Sequence, residues 1–275
     1  MNDDKSLSWI NKIFVINLNE SKERLKKCIQ QLDKNNLKYE RFEAIYGKSL
    51  NKEQKEKIHP FCNYLLCSDS MKGCALSHMI LIEKIVKENI EKALILEDDF
   101  IMNEKTIERI ETLKNFDKGI VKLSCFGLFC YDIDNEPVES LFPFGNGAYL
   151  INNRDANIIY NKITKVIYHI DIQMNFISWY NGIKLYTYPC IESDKSNSTI
   201  FEKSLISRLI PMNEKLSWYS NHVLVAPMGY SVSAMTFLSI IFIIIGVIFW
   251  KYILGRIIFL IGIFDIIYTF LIVKH

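Results

Sequence analysis

Short apolar runs alternate along the first 230 residues with stretches whose apolar positions recur every three or four residues. "IFVINL" (Ile13 to Leu18) is a β-branched run of the kind that forms a buried strand. Ser21 then stands where a helix cap belongs, and Leu25, Cys28, Ile29 and Leu32 follow at helical spacing until Asn35 and Asn36 end the pattern. "YERFEAI" (Tyr39 to Ile45) alternates in period two and stops at Gly47, which predicts a second strand and its turn. A helix is predicted from Gly73 to Lys87, with Leu76, Met79, Ile80 and Val86 inward, leading into a strand from Ala93 to Leu96. Asn103 is placed to cap a further helix carrying Ile107, Ile110 and Leu113, and "IVKLSC" predicts another strand. Such alternation points to an α/β sheet flanked by helices.

The pattern changes near Ser231. Val232 to Trp250 form nineteen residues without a charge, and Ile257 to Val273 carry Asp265 as their sole charge. A membrane span needs about 20 apolar residues, so the expectation is a C-terminal membrane segment: one span, two spans or a shallow hairpin. Asp265 is a costly group at depth. Lys251 and Arg256 lie between the two runs and Lys274 near the end, which fixes no orientation. The expected division is a catalytic domain over 1–231 and a membrane-associated helical segment over 232–275.

Composition narrows the classes. The 275 residues, 49% hydrophobic, are enough for one large core or two small ones, and a net charge of +2 without a basic stripe excludes a nucleic-acid footprint. Removing the tail takes three of 33 basic and one of 31 acidic residues, so the remainder is formally neutral. The seven cysteines are odd in number and the first residues lack the apolar core of a signal peptide, which leads to an expectation of reduced thiols in a cytosolic compartment. Cys62, Cys67, Cys74 and His78 lack the short paired spacing of structural zinc sites, and buried thiols are the expected account.

The chemistry gathers at "KALILEDDF" (Lys92 to Phe100), where an apolar strand runs into Glu97, Asp98 and Asp99. In open α/β sheets, ligands bind outside the carboxyl ends of the strands. Side chains alternate along a strand, so Glu97 and Asp99 are predicted on one side and Asp98 on the other. Two converging carboxylates suit Mg²⁺ or Mn²⁺, usually shared with substrate phosphates. The alternative is a solvated acidic turn.

Several stretches in order resemble glycosyltransferase family 25, which includes bacterial lipooligosaccharide galactosyltransferases and is related to collagen galactosyltransferases. They are "IFVINLNESKERL", "FEAIYG", "GCALSH" (Gly73 to His78), "ALILEDDF", "GNGAYLINNRDA" (Gly145 to Ala156), "HIDIQ" and "YPCIESDKSNSTI", spread over roughly residues 12 to 200. One departure is Tyr46 before Gly47, where the family commonly has an acidic residue. The resemblance implies a GT-A-like, Rossmann-related mixed sheet and an inverting transferase. It would move a hexose, galactose first, from a nucleotide-diphosphate donor such as a UDP-hexose to a lipopolysaccharide-type, lipid-linked glycan acceptor. Glu97 and Asp99 are then the metal ligands for Mn²⁺ or Mg²⁺, and Asp98 a ribose contact. Asn17 and Arg24 would hold the nucleotide, since helix starts and guanidinium groups suit phosphates. Gly73 and His78 join them as donor-site candidates, with Gly145 and Gly147 where backbone must approach a ligand closely. An acceptor hydroxyl needs a carboxylate to take its proton; Asp171 is the first candidate and Asp194 the second. For each the residue pattern also allows a plain structural role: a helix cap for Asp171, a solvated helix position for Arg24, a hydrogen-bonded core histidine for His78, a turn for the glycines.

Two rivals remain: a tethered sugar-nucleotide-binding module without activity, and another metal-dependent phosphotransfer enzyme. The chain lacks a Gly-rich phosphate loop ending in Lys-Ser or Lys-Thr, which counts against a nucleotide kinase or ATPase. The expected location is the cytoplasmic face of the inner membrane, where the tail would hold the enzyme beside its acceptor.

Overall fold

The structure, a computed structural model, describes residues 7–126, 129–133, 135–194, 206 and 220–272. By internal contacts the chain divides into two units, Met1–Lys57 with Gly73–Asn197, and Ile58–Lys72 with Ser198–His275.

The first unit is built in chain order from β1 (Lys12–Asn17), α1 (Lys22–Lys34), β2 (Glu40–Glu43), α2 (Lys52–Glu56), α3 (Asp69–Lys87), β3 (Lys92–Glu97), β4 (Phe100–Met102), α4 (Thr106–Glu111), β5 (Ile120–Phe126), β6 (Val138–Glu139), β7 (Phe144–Asn152), α5 (Asn153–Lys162), α6 (Ile170–Tyr180), β8 (Leu185–Thr187) and β9 (Ile191–Ser193). α3 begins at Asp69, outside that unit's own residues. Seven strands form one mixed sheet in the order β2-β1-β3-β7-β5-β8-β6, and β4 pairs with β9 in a separate ribbon. β1 is parallel to both β2 and β3, whereas β7 is antiparallel to β3 and to β5. The predicted α/β sheet flanked by helices is the architecture observed.

The apolar runs become the central strands because both faces of this mixed sheet are covered there. Val15, Leu94 and Leu96 join Cys28 and Leu32 of α1 in one buried cluster, and Phe14 and Ile95, pointing the other way, are fully buried as well. β1 and β3 run side by side with Val15 opposite Leu96 and Ile16 opposite Glu97, so Asn17 and the acidic triplet emerge at the same sheet edge. Ser21 occupies the N-cap of α1 without a side-chain capping bond, and Asn36 takes a left-handed φ of 52° just past its end. α3 starts four residues before the predicted Gly73, its first turn being polar, and its buried face is Leu76, Leu81, Ile82 and Ile85 rather than Met79, Ile80 and Val86. The helix after Asn103 runs from Thr106, with Asn103 Oδ1 accepting the Lys105 N–H at 3.0 Å.

In the second unit, β10 (Val223–Val225) pairs antiparallel with β11 (Val232–Ser233), followed by α7 (Ala234–Ile248) and α8 (Ile253–Ile272). Ser233 and Thr236 form a capping box at the start of α7. α7 and α8 pack closely at glycines: a Cβ on Gly246 would lie 2.5 Å from Phe259 Cβ, and one on Gly262 would lie 2.6 Å from the Ser239 carbonyl oxygen. Asp265 is buried between them, accepting from Ser239 Oγ at 2.5 Å and from the Ile206 N–H at 2.7 Å.

The predicted C-terminal membrane segment is corrected here. Among the described residues no helix is long and apolar enough to cross a membrane. The charge-free run does not continue as one rod: α7 stops at Ile248 after 15 residues, about 22 Å at 1.5 Å per residue, short of a hydrocarbon core of about 30 Å. α8 carries Arg256 and Asp265 within it.

The expectation of reduced thiols also changes. Cys62 is bonded to Cys67 and Cys125 to Cys130, while Cys28, Cys74 and Cys190 are free. Residues 195–200, the end of the proline-serine stretch, lie outside the described residues.

Candidate functional site

Glu97 is the last residue of β3, and Asp98 and Asp99 lie in the turn after it, so strand alternation does not set their sides. Asp98 turns toward α1. Its Oδ2 accepts from Asn17 Nδ2 at 2.7 Å and its Oδ1 from Arg24 Nη1 at 2.9 Å. Asn17 is itself tied down, donating to the Ser21 carbonyl at 3.1 Å and accepting from Arg41 Nε at 3.0 Å. Asn17, Arg24 and Asp98, singled out separately as nucleotide contacts, are thus one hydrogen-bonded cluster. Burial pushes the Asp98 carboxyl above the ordinary range, with Asn17 and Arg24 pulling it back down.

Glu97 turns toward α3. Its Oε1 lies 3.1 Å from His78 Nε2 and 4.0 Å from Cys74 Sγ. His78 is buried, and its Nδ1 lies 3.0 Å from the Tyr149 hydroxyl on β7. Cys74 and His78 are four residues apart on a helix and therefore share a face. Their ligand atoms and a Glu97 oxygen all fall within 4.8 Å of one another.

Asp99 follows in the turn after β3. Its Oδ1 is buried without a hydrogen-bond partner among the described residues. Burial, then the charges of Glu97 and Asp98, push its carboxyl up to about 7. Its carbonyl accepts the Asp194 N–H at 2.7 Å, which brings the end of β9 against it. Asp194 Oδ2 lies 3.9 Å from Lys27 Nζ at the surface.

Asp171 stands in the first turn of α6, where acidic residues suit a helix start. Its Oδ2 accepts the Gly145 N–H and its Oδ1 the Ile172 N–H, each at 2.9 Å. Gly145 has φ of 97°, and a Cβ there would lie 2.9 Å from the Phe126 ring. At Gly147 a Cβ would lie 3.1 Å from Ser193 Oγ. Gly73 is placed differently: it lets α3 press against the turn after β2, where a Cβ would lie 2.4 Å from the Ile45 oxygen and 2.8 Å from the Gly47 nitrogen. Tyr46, beside that turn, is exposed.

Three residues of this site, Lys122, Asn146 and Tyr149, are not singled out from the sequence, and Cys74 reads there only as a buried thiol. Lys122, in the middle of β5, is completely buried; its Nζ donates to Asn146 Oδ1 and stands 5.0 Å from the centre of the Tyr149 ring. Burial lowers the ammonium to about 8 against the opposing pull of Asp171 and Glu97. The same surroundings push the Cys74 thiol well above its usual value, burial first and then Glu97, Asp171 and Asp99. The signals were present: a lysine inside an apolar strand, and a Cys/His pair at helical spacing.

The arrangement is a polar edge where β1 and β3 end, with carboxylates facing two ways, one buried carboxylate oxygen unpartnered among the described residues, and a buried lysine whose charge interacts with Glu97 and Asp171. A divalent cation fits Asp99 Oδ1, which lacks a partner among the described residues and feels the charges of Glu97 and Asp98 more strongly than that of Arg24.

Comparison with known proteins adds identity. The profile of glycosyltransferase family 25 (LPS biosynthesis protein) matches residues 10–174. Procollagen galactosyltransferase 2 of Homo sapiens is 29% identical over 98 residues, covering 32% of this chain and 16% of that protein, and the Mus musculus protein gives the same figures. The matched stretch is therefore a small part of those relatives' length. Among solved structures, a protein from STIV superposes with a TM-score of 0.42 at 15% identity, over 65% of this chain and 81% of that one. A glycosyltransferase involved in glycosylation of the major capsid of PBCV-1 gives 0.40 at 8% identity, over 68% and 93%.

Proposed function

The chain belongs to glycosyltransferase family 25, and on that premise we propose that it transfers a hexose, galactose first, from a nucleotide-diphosphate sugar to a glycan acceptor of the lipopolysaccharide or lipooligosaccharide type. The observation that carries the reading is the buried, unpartnered Asp99 Oδ1 at the end of the β3 strand, within the family's matched residues. The choice of galactose rests on likeness to the procollagen galactosyltransferases.

In this reading Glu97 and Asp99 are the residues that would hold Mn²⁺ or Mg²⁺, and such an ion would neutralise charge on the departing nucleoside diphosphate. The Asn17, Arg24 and Asp98 cluster forms the rigid wall on which the nucleotide rests, its side chains held by one another. Displacement with inversion needs a carboxylate beside the acceptor hydroxyl. Asp171 takes that role, oriented by the Gly145 and Ile172 amides, and β7 supplies backbone beside it through Gly145 and Gly147.

The test is turnover of a panel of UDP-hexoses by the full chain with and without Mn²⁺, beside Asp99→Ala and Asp171→Asn. Metal-dependent hydrolysis or transfer that both variants lose supports the reading. Release of phosphate without an acceptor would move it to a phosphotransfer enzyme, and nucleotide-sugar binding without turnover to a binding module.

A further inference from the structure

Cys74 and His78 face Glu97 across the gap between α3 and the end of β3, and this trio is chemically unlike the hard-oxygen site of Glu97 and Asp99. Around a tetrahedral zinc ion, bonds of about 2.0 to 2.3 Å place ligand atoms about 3.3 to 3.6 Å apart. The distances from Glu97 Oε1, 3.1 Å to His78 Nε2 and 4.0 Å to Cys74 Sγ, straddle that spacing, and all three atoms lie within 4.8 Å of one another. The 4.8 Å span of the three atoms exceeds that spacing, so binding draws them together.

A second observation points the same way. Metal-binding histidines almost always give their other ring nitrogen to a fixed partner, which sets tautomer and orientation. His78 Nδ1 meets the Tyr149 hydroxyl at 3.0 Å, and both side chains are buried, so Nε2 is held toward Glu97 and Cys74. A thiolate, an imidazole and one carboxylate form a donor set for a borderline-soft cation, since Mg²⁺ and Mn²⁺ prefer oxygen throughout. Three protein ligands leave the fourth position to water, the pattern of an open site.

We propose that Cys74 Sγ, His78 Nε2 and Glu97 Oε1 bind one Zn²⁺. Uptake releases the thiol proton to solvent, with no redox change. Glu97 belongs to both donor sets, so zinc held here withdraws it from the nucleotide's cation. The zinc site itself stands on the side-chain geometry, and only the competition for Glu97 rests on the transferase reading.

Co²⁺ reports the site without any turnover assay. The full chain, stripped with chelator, is titrated with Co²⁺ alone and followed by the thiolate-to-cobalt absorption, then challenged with Zn²⁺. One equivalent giving that absorption, displaced by Zn²⁺ and lost in Cys74→Ala and His78→Ala but kept in Cys190→Ala, is the expected result. Tyr149→Phe weakens Co²⁺ binding about 10- to 100-fold. If Cys74→Ala does not fold, as judged by circular dichroism, the wild-type absorption and the Tyr149→Phe comparison decide. Binding without the thiolate absorption, absorption that survives in folded Cys74→Ala, unchanged affinity in Tyr149→Phe, or no binding at all overturns the proposal, and none of these touches nucleotide-sugar turnover.

Discussion

Arg24 Nη1 on α1 lies 2.9 Å from Asp98 Oδ1 at the end of β3, an ion pair that joins the first helix to the acidic triplet. The Asp98 side chain is 11% exposed and that of Arg24 28%, so the pair is only partly screened by water. Hydrogen bonds to charged groups contribute about 1.5 to 3 kcal/mol, and Arg24→Gln is expected to destabilise the fold by about 2 kcal/mol in urea unfolding. A double-mutant cycle with Asp98→Asn should show coupling of about 1 kcal/mol or more. Additive single effects would mean that the two residues contribute to stability independently.

Asp99 makes a pH prediction. Its folded-state carboxyl, pushed up to about 7 from 3.8 by burial, Glu97 and Asp98, binds a proton more tightly than in the unfolded chain. Its penalty is therefore absent below about pH 4, grows as pH rises, and is complete above about pH 7. Asp99→Asn should match the wild type in stability at pH 4 and exceed it at pH 8, by on the order of 2 to 4 kcal/mol. Saturating Mn²⁺ should remove most of that difference at pH 8 by stabilising the wild type alone. A gap that does not vary between pH 4 and 8 would show that the carboxylate is hydrated.

Lys122 works in the opposite direction. Its ammonium titrates at about 8 in the fold against 10.5 ordinarily, so below pH 8 the buried charge carries its full cost, and that cost disappears by pH 10.5. Relative to Lys122→Met, the wild type should gain on the order of 3 kcal/mol between pH 8 and 10.5. Paired thermal melts over that interval check it. Parallel curves for the two proteins would place the Lys122 nitrogen in contact with water.

What could be read from the chain and what could not divide along a physical line. The runs at Ile13 to Leu18 and Ala93 to Leu96 announced central strands because both faces of each are buried, which leaves a continuous apolar stretch. The acidic triplet was legible because it follows such a run directly. The partners of those carboxylates were not, since His78 meets Glu97 and Arg24 meets Asp98 only after helices cross the sheet. β7, which brings Tyr149 and Asn146 between β3 and β5, is antiparallel and glycine-bearing, and its pattern resembled a turn. In the tail, hydropathy registered composition but not the break after Ile248 or the burial of Asp265 against Ser239. An odd cysteine count pointed to thiols, yet two pairs, each five residues apart, are bonded.

Gly73 gives the sharpest steric prediction. It opens the stretch that resembles the family's helix start, and the structure places it where α3 presses on backbone: an added methyl would lie 2.4 Å from the Ile45 carbonyl oxygen and 2.8 Å from the Gly47 nitrogen. Neither atom is the end of a flexible side chain, so relief requires the helix or the turn after β2 to move. Overpacking of this kind costs about 1 to 3 kcal/mol, sometimes more, and outweighs the gain of up to about 1 kcal/mol that alanine brings over glycine inside a helix. Gly73→Ala should therefore lower stability by about 1 to 3 kcal/mol, and displacement of α3 should also weaken Co²⁺ binding at Cys74 and His78, which ride on the same helix. Gly182→Ala is the control: it too is a glycine, but a methyl there would meet nothing within 4 Å, and its φ of 72° makes any cost conformational. Equal stability losses in the two variants, with metal binding unchanged in both, would remove the close approach of α3 as the reason for glycine at position 73.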